Sequence, residues 1–204
     1  SSGYDVIGLD VNIDVVEKVN RGEIHIIEPG LEDIVKKAVN NGKLNAISVA
    51  EPADVFVIAV PTPFKGSNHK PDLSYIKSVV DMISPVLRSG NLVILESTSP
   101  VGTTEKLRDW LSNKRNDLNI SGSDTVELDV FVAYCPERVL PGDVLQELRE
   151  NDRVIGGLCD KSTELAVTFY RSFVSGKCYK TNAKTAEMSK LTENSYRDVN
   201  IAFA

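Results

Sequence analysis

Lys190, Asn194 and Arg197 lie four and three residues apart in the segment TAEMSKLTENSYRDVNIAFA (185–204) of this 204-residue chain. On a helix that spacing sets all three on one stripe. An ammonium beside a side-chain amide can stabilise negative charge developing on an oxygen. The same pattern also describes an ordinary amphipathic helix. Met188, Leu191, Ser195, Val199, Ala202 and Phe203 gather on one side, and Glu187, Lys190, Asn194, Arg197 and Asp198 on the other. Spacing alone leaves a solvated face and an active-site face both open.

Other chemistry-bearing residues follow apolar runs. In AVPTPF (59–64), prolines flank Thr62, stopping a strand and stiffening the turn. ESTSPVGTTEKL (96–107) places the hydroxyls of Ser97, Thr98 and Ser99 after Glu96 and before Pro100, Gly102 and a helix start. Thr103 or Thr104 can cap that helix, with Glu105 in its first turn; capping explains one hydroxyl and leaves the cluster for a ligand-facing loop. YCPERVLPG (134–142) holds Glu137 and Arg138 between two prolines, a rigid turn that is an odd place to immobilise two exposed charges. At the other end, SSGYDVIGLDVN (1–12) reads as a helix end closed by Gly3 and then a strand ending in Asp10. In a dinucleotide fold an acidic residue ending the second strand binds the adenine ribose, about 20 residues after the glycine-rich loop begins. This reading expects a strand–GxGxxG–helix unit ahead of Ser1, and so an interior piece of a longer protein.

The elements that must position these residues alternate. Strands are expected at 5–10, 54–60, 91–97, 129–134 and 153–157, with a short one at 177–181. Helices are expected at 13–20, 30–40, 72–88, 103–115, 160–175 and 183–204, and a surface loop at 113–127. Near-continuous apolar strands between helices imply a parallel sheet covered on both faces, an α/β doubly wound (Rossmann-like) fold. The loops carrying Thr62, Thr98 and Glu137 would each leave the C-terminal end of a parallel strand and converge on one crevice.

Composition agrees with a soluble globular chain: 42% hydrophobic and 25% charged residues. The longest apolar run, VFVIAV (55–60), is far short of a membrane span. A net charge of −6 without a basic patch argues against a nucleic-acid surface. It leaves room for a small anionic ligand held by local donors. Cys135, Cys159 and Cys178 lack CxxC spacing and read as reduced thiols of a cytoplasmic protein. Nothing pairs His25 with His69 as metal ligands, so no metal is expected.

The segments VPTP, ESTSPVGTTE, YCPERVLPG, NDRVIGG and TAEMSKLTENSYRDVNIAFA, together with NRGEIHIIEPGL (20–31), resemble in order the UDP-glucose/GDP-mannose dehydrogenase family. The resemblance implies NAD-dependent oxidation of the C6 hydroxyl of a UDP-sugar to a carboxylate through two hydride transfers. UDP-N-acetyl-D-mannosamine is the implied substrate and surface polysaccharide biosynthesis the implied setting. It implies that Asp10 binds the adenine ribose and that Thr62, Thr98 and Thr104 line the NAD site. Lys190 would be the catalytic lysine, Asn194 its partner at the reacting oxygen, and Glu137 the base that activates water. Arg138, Val139 and Arg197, with Lys190 and Asn194, would contact the substrate. It further implies an NAD-binding domain over 1–182, lacking its first strand and glycine-rich loop. Residues 183–204 would then start a long connecting helix that takes part in a homodimer. The family's nucleophilic cysteine is not among these residues, so the chain alone is expected to be inactive. Three alternatives stand beside this reading: a UDP-N-acetylglucosamine 6-dehydrogenase, a one-step 3-hydroxyacid dehydrogenase, and a non-catalytic dinucleotide-fold fragment.

Overall fold

The computed structural model describes residues 3–24, 28–67, 70–121, 127–139 and 142–204; His25 and His69 lie outside them. The chain opens with β1 (Val6–Leu9), α1 (Ile13–Asn20), α2 (Leu31–Asn40), β2 (Leu44–Ile47) and β3 (Val55–Ile58). A small hairpin follows, β4 (Phe64–Lys65) with β5 (Lys70–Pro71), then α3 (Ser74–Ile83), β6 (Leu92–Leu95), α4 (Thr103–Lys114) and β7 (Phe131–Tyr134). The rest is α5 (Val144–Glu150), β8 (Arg153–Gly157), α6 (Asp160–Arg171), β9 (Cys178–Asn182) and α7 (Ala183–Phe203).

The main sheet has the order β3-β6-β7-β8-β9. Its interior strand β6 shows why the apolar runs do not alternate with polar residues. Leu92 and Ile94 pack with Ala133, Ile155, Ala166 and Val167 toward α6. Val93 and Leu95 pack with Ile76, Val80, Leu107 and Leu111 toward α3 and α4. Successive side chains point to opposite faces, and both faces are covered, so every position of β6 is buried.

The expected parallel sheet is interrupted once. β3, β6 and β7 are parallel, but β7 pairs with β8 antiparallel, and β8 with β9 parallel again. A parallel return needs a crossover that covers a sheet face. Among the described residues the 135–152 connection contains only α5, no residue of which is buried, and the chain turns back on the same edge. β9 therefore ends at the edge opposite the C-terminal end of β7. It runs straight into α7, whose N-cap Asn182 accepts a bond from the Thr185 N–H. Gly156 makes this junction possible: a Cβ there would lie 2.2 Å from the Asn182 carbonyl oxygen.

β1 and β2 form a parallel pair of their own. β1 is not the buried strand that its sequence suggests, since Val6 is 51% and Ile7 40% exposed. Leu9 still packs against the core on the α3–α4 side. Glu28 ties the segment after α1 to the start of α5, accepting from the Gly142 and Val144 N–H groups at 3.1 and 2.9 Å. The second acid of NRGEIHIIEPGL, Glu28, is thus a structural acceptor. Sequence reading misses β2, the β4–β5 hairpin and α5, all short elements. Of the expected 113–127 surface loop, residues 122–126 lie outside the described residues, and part of the rest is internal: Ile120 bridges Val130, and Ser121 is buried.

Candidate active site

Because β3, β6 and β7 are parallel, their following loops leave one edge of the sheet, and Thr62 and Thr98 meet there. The Thr62 hydroxyl donates to the Thr98 carbonyl. The hydroxyl cluster is mostly internal scaffolding. Ser97 Oγ accepts from the Val60 N–H at 2.9 Å, and Ser99 Oγ donates to the Ser97 carbonyl at 3.0 Å. Both serines are buried, whereas Thr98 is half-exposed. Glu96, at the end of β6, accepts from the Tyr170 hydroxyl at 2.8 Å. Burial raises its carboxyl above the ordinary range, against the lowering effects of Tyr170 and Arg153.

Running back from the far edge, α7 brings its middle to this one. Lys190, Glu193 and Asn194 are half-buried. With Arg138, Val139 and Arg197 they line an open cleft of about 590 Å³. All five residues expected to contact substrate therefore share one cavity. Arg138 is fixed by a fork onto Glu193, with contacts of 2.9 to 3.1 Å to the two carboxylate oxygens. Arg197 is exposed and pairs with Asp198 at 3.3 Å. Glu137 is exposed and close enough for its charge to act on both Glu96 and Lys190. Desolvation lowers the Lys190 ammonium pKa; Arg197 and Arg138 add to this, and Glu193 and Glu137 oppose it.

Three expectations need correction. The wet and dry faces of α7 are not as periodicity drew them: Glu187 is 0% exposed, while Met188 is 56%, Val199 68% and Phe203 92% exposed. The helix docks through small side chains, Ala183 and Ala186, and one carboxylate. Neither Thr103 nor Thr104 caps α4 with its own side chain; the N-cap is Gly102, at φ 90°. Thr104 does not face a nucleotide, because it is 0% exposed and its hydroxyl donates to Glu187 Oε1 at 2.6 Å. Asp10 is exposed at the end of β1, accepting from the Asn12 N–H at 2.8 Å. Among the described residues no hydrogen bond joins it to Thr62 or Thr98. Sequence reasoning missed Glu193 as the partner of Arg138 and Glu187 as a buried acceptor, since both depend on contacts far apart in the chain.

The three cysteines are unpaired. Among the described residues no cluster of His, Cys, Asp or Glu could hold a metal ion, and no helix is long and apolar enough to cross a membrane.

Residues 1–174 match the UDP-glucose/GDP-mannose dehydrogenase family, NAD binding domain. The chain is 56% identical over 199 residues to the UDP-N-acetyl-D-mannosamine dehydrogenase of Campylobacter jejuni, covering 98% of this chain and 49% of that protein. It is 57% identical over 200 residues to the NDP-N-acetyl-D-galactosaminuronic acid dehydrogenase of Ralstonia nicotianae, covering 98% and 47%. The UDP-D-ManNAc dehydrogenase structure from Pyrococcus horikoshii superposes with a TM-score of 0.91 at 44% identity, covering 99% of this chain and 47% of that one. The chain thus spans about half the length of the curated relatives it matches. With the family model matching residues 1–174, the chain belongs to the UDP-glucose/GDP-mannose dehydrogenase family, of which it carries the NAD-binding domain.

Proposed function

We propose that the full-length protein carrying this chain oxidises the C6 hydroxyl of UDP-N-acetyl-D-mannosamine to the carboxylate with NAD. The observation that carries this reading is the single cleft in which Lys190 and Asn194 of α7 face Arg138 and Val139 of the turn after β7. Its lining sets the cations of Arg138, Lys190 and Arg197 and the amides of Asn151 and Asn194 beside the carboxylates of Glu147, Glu150, Asp152 and Glu193; the cations and amides can hold an anionic, hydroxyl-rich ligand. The curated relatives acting on N-acetylated nucleotide sugars support the substrate class.

The residues present also fit the cofactor. The exposed Asp10 carboxylate ends a strand, where a ribose diol is held in dinucleotide folds. Thr62 and Thr98 stand at the C-terminal ends of parallel strands. Thr104 supports them from behind, through Glu187. Bound NAD supplies the hydride acceptor. The Lys190 ammonium and the Asn194 amide stabilise charge developing on the C6 oxygen. Lowered in pKa by desolvation, Lys190 is also suited to exchange a proton there. Glu137, exposed beside the cleft, holds and deprotonates water for the hydrolytic half of the reaction. Arg138, held by Glu193, and Arg197 bind the substrate.

We assign residues 1–182 to the NAD-binding domain and 183–204 to the start of a connecting helix. Its exposed Met188, Tyr196, Val199, Ile201 and Phe203 suit a homodimer contact. Unpaired thiols suit a reducing cytoplasm.

The test is NADH yield per sugar with the full-length protein. About two NADH per UDP-N-acetyl-D-mannosamine, abolished by Lys190→Ala, is expected. One NADH per substrate would favour a one-step hydroxyacid dehydrogenase. Faster turnover of the N-acetylglucosamine or N-acetylgalactosamine epimer would move the substrate assignment. NAD binding without turnover of any of these would overturn the reading.

A further inference from the structure

We propose that Glu187 is a positioning residue: it locks the turn that follows Thr98 to the helix that carries Lys190 and Asn194, and so fixes the cofactor side of the site relative to the substrate side. The inference rests on the functional reading above and adds to it a residue that touches neither ligand.

Glu187 is 0% exposed. Its carboxylate accepts from the Gly102 N–H at 2.6 Å, the Thr104 N–H at 2.7 Å and the Thr104 hydroxyl at 2.6 Å. Those N–H groups belong to the first turn of α4, where the helix dipole favours an anion. Stability of α4 alone does not require this arrangement. Other helices here are capped from next door: α1 by Asn12, α6 by Cys159 and α7 by Asn182. α4 has two threonines at hand for a local cap, yet Thr103 donates to the Pro100 carbonyl and Thr104 to Glu187. The cap is instead drawn from 83 to 85 residues away in sequence. What the distant carboxylate adds over a local one is a connection.

The connection lies between the right two segments. Gly102 and Thr104 are four and six residues beyond Thr98, in the turn that Thr62 joins by its bond to the Thr98 carbonyl. Lys190 is one turn beyond Glu187, so holding the carboxylate fixes both the rotation and the height of α7 where the chemistry is. Three charge-assisted bonds on one buried group leave little freedom to slide or roll. Beneath the junction, Tyr134 is 0% exposed and its hydroxyl has no hydrogen-bond partner among the described residues. Burial first, and the Glu187 charge second, push that phenol up. Ser99, beside that hydroxyl, offsets part of the rise.

The test uses the full-length protein and Glu187→Gln, which keeps size and shape. A carboxamide NH₂ cannot accept from an amide N–H, so at least one of the two backbone donors loses its acceptor. Misalignment matters in the transition state more than in binding. The expected result is kcat lower by about tenfold to a hundredfold, with the KM values for NAD and UDP-sugar within about threefold of the parent. Thr104→Val removes one donor and should give a smaller loss, less than additive with Glu187→Gln because both act on one junction. Thr104→Ser, which keeps the hydroxyl, should restore near-parent kcat. A Glu187→Gln kcat within about twofold of the parent overturns the proposal, whatever its melting temperature, as does full additivity of the two losses. If Glu187→Gln does not fold, Thr104→Val against Thr104→Ser decides: equal kcat values overturn it. A parent protein that reduces no NAD with any UDP-sugar is a different result, because it removes the functional reading itself.

Discussion

Replacing Gly156 by alanine tests how α7 is seated. A Cβ at Gly156 would lie 2.2 Å from the Asn182 carbonyl oxygen, 2.3 Å from its carbon and 2.7 Å from the Ala183 nitrogen. Ordinary contact begins near 3.4 Å, so β8 and the start of α7 must part by about 1 Å. All three neighbours are backbone atoms, and no rotamer change relieves them. Overpacking of this kind costs about 1–3 kcal/mol, and a clash with backbone belongs at the top of that range. For a chain of this size about 3 kcal/mol lowers the melting temperature by about 6–12 °C. The displaced helix carries Lys190 and Asn194 with it, and about 1 Å of misplacement is worth about a hundredfold in rate. Thermal unfolding of this chain followed by circular dichroism, and initial rates of NADH formation by the full-length protein, read the two effects. Gly8→Ala is the control, because its Cβ would meet only the Asn45 carbonyl oxygen at 3.9 Å. Melting of Gly156→Ala within about 2 °C of that control would refute the argument.

Other outcomes follow from the charges around the cleft. Lys190→Met should abolish turnover while leaving the melting temperature unchanged or raised, because desolvation already disfavours the ammonium; unfolding assays at pH 7 check this, and a clear fall in melting temperature would contradict it. Glu96→Gln keeps an acceptor for the Tyr170 hydroxyl but removes a buried titration. Because the folded-state pKa of Glu96 is raised, its stabilisation is complete below the ordinary value of 4.5 and is lost as pH rises through the folded value. The melting-temperature difference between Glu96→Gln and the parent should therefore move in the variant's favour from pH 4.5 toward neutrality, and a difference independent of pH would defeat the claim. Glu193→Gln weakens the fork that orients Arg138, and should raise the KM for UDP-sugar by about threefold to tenfold with a smaller change in kcat. An unchanged KM would mean that Arg138 holds its place without Glu193.

What the sequence reveals here is what local physics writes. α1 falls on 13–20 as expected, because an asparagine cap, an acidic first turn and apolar spacing agree. The strands β3, β6 and β7 declare themselves as short apolar runs between helical patterns. The reversal between β7 and β8 leaves no such mark, since it depends on α5 failing to cover the sheet. The candidate site divides the same way. Thr62, Thr98 and the cleft residues were legible from motif order, because each sits at a strand end or on one helix stripe. Glu187 looked solvated because helix periodicity cannot know that α4 offers its N-terminus nearby. Thr104 looked available for the same reason.

The seating of α7 has a mechanical consequence. The helix is fully buried only at Ala183, Ala186 and Glu187, half-buried at Lys190, Leu191, Glu193 and Asn194, and exposed from Ser195 on, so it is a cantilever held toward one end. Displacement along such a rod grows with distance from the clamp. At about 1.5 Å rise per residue, Lys190 stands about 4.5 Å beyond Glu187 and Phe203 about 24 Å. A tilt of about 5° about the clamp would move the backbone at Lys190 by about 0.4 Å and at Phe203 by about 2 Å. Whatever grips the far end can shift by a bond length or more while the reacting groups hardly move.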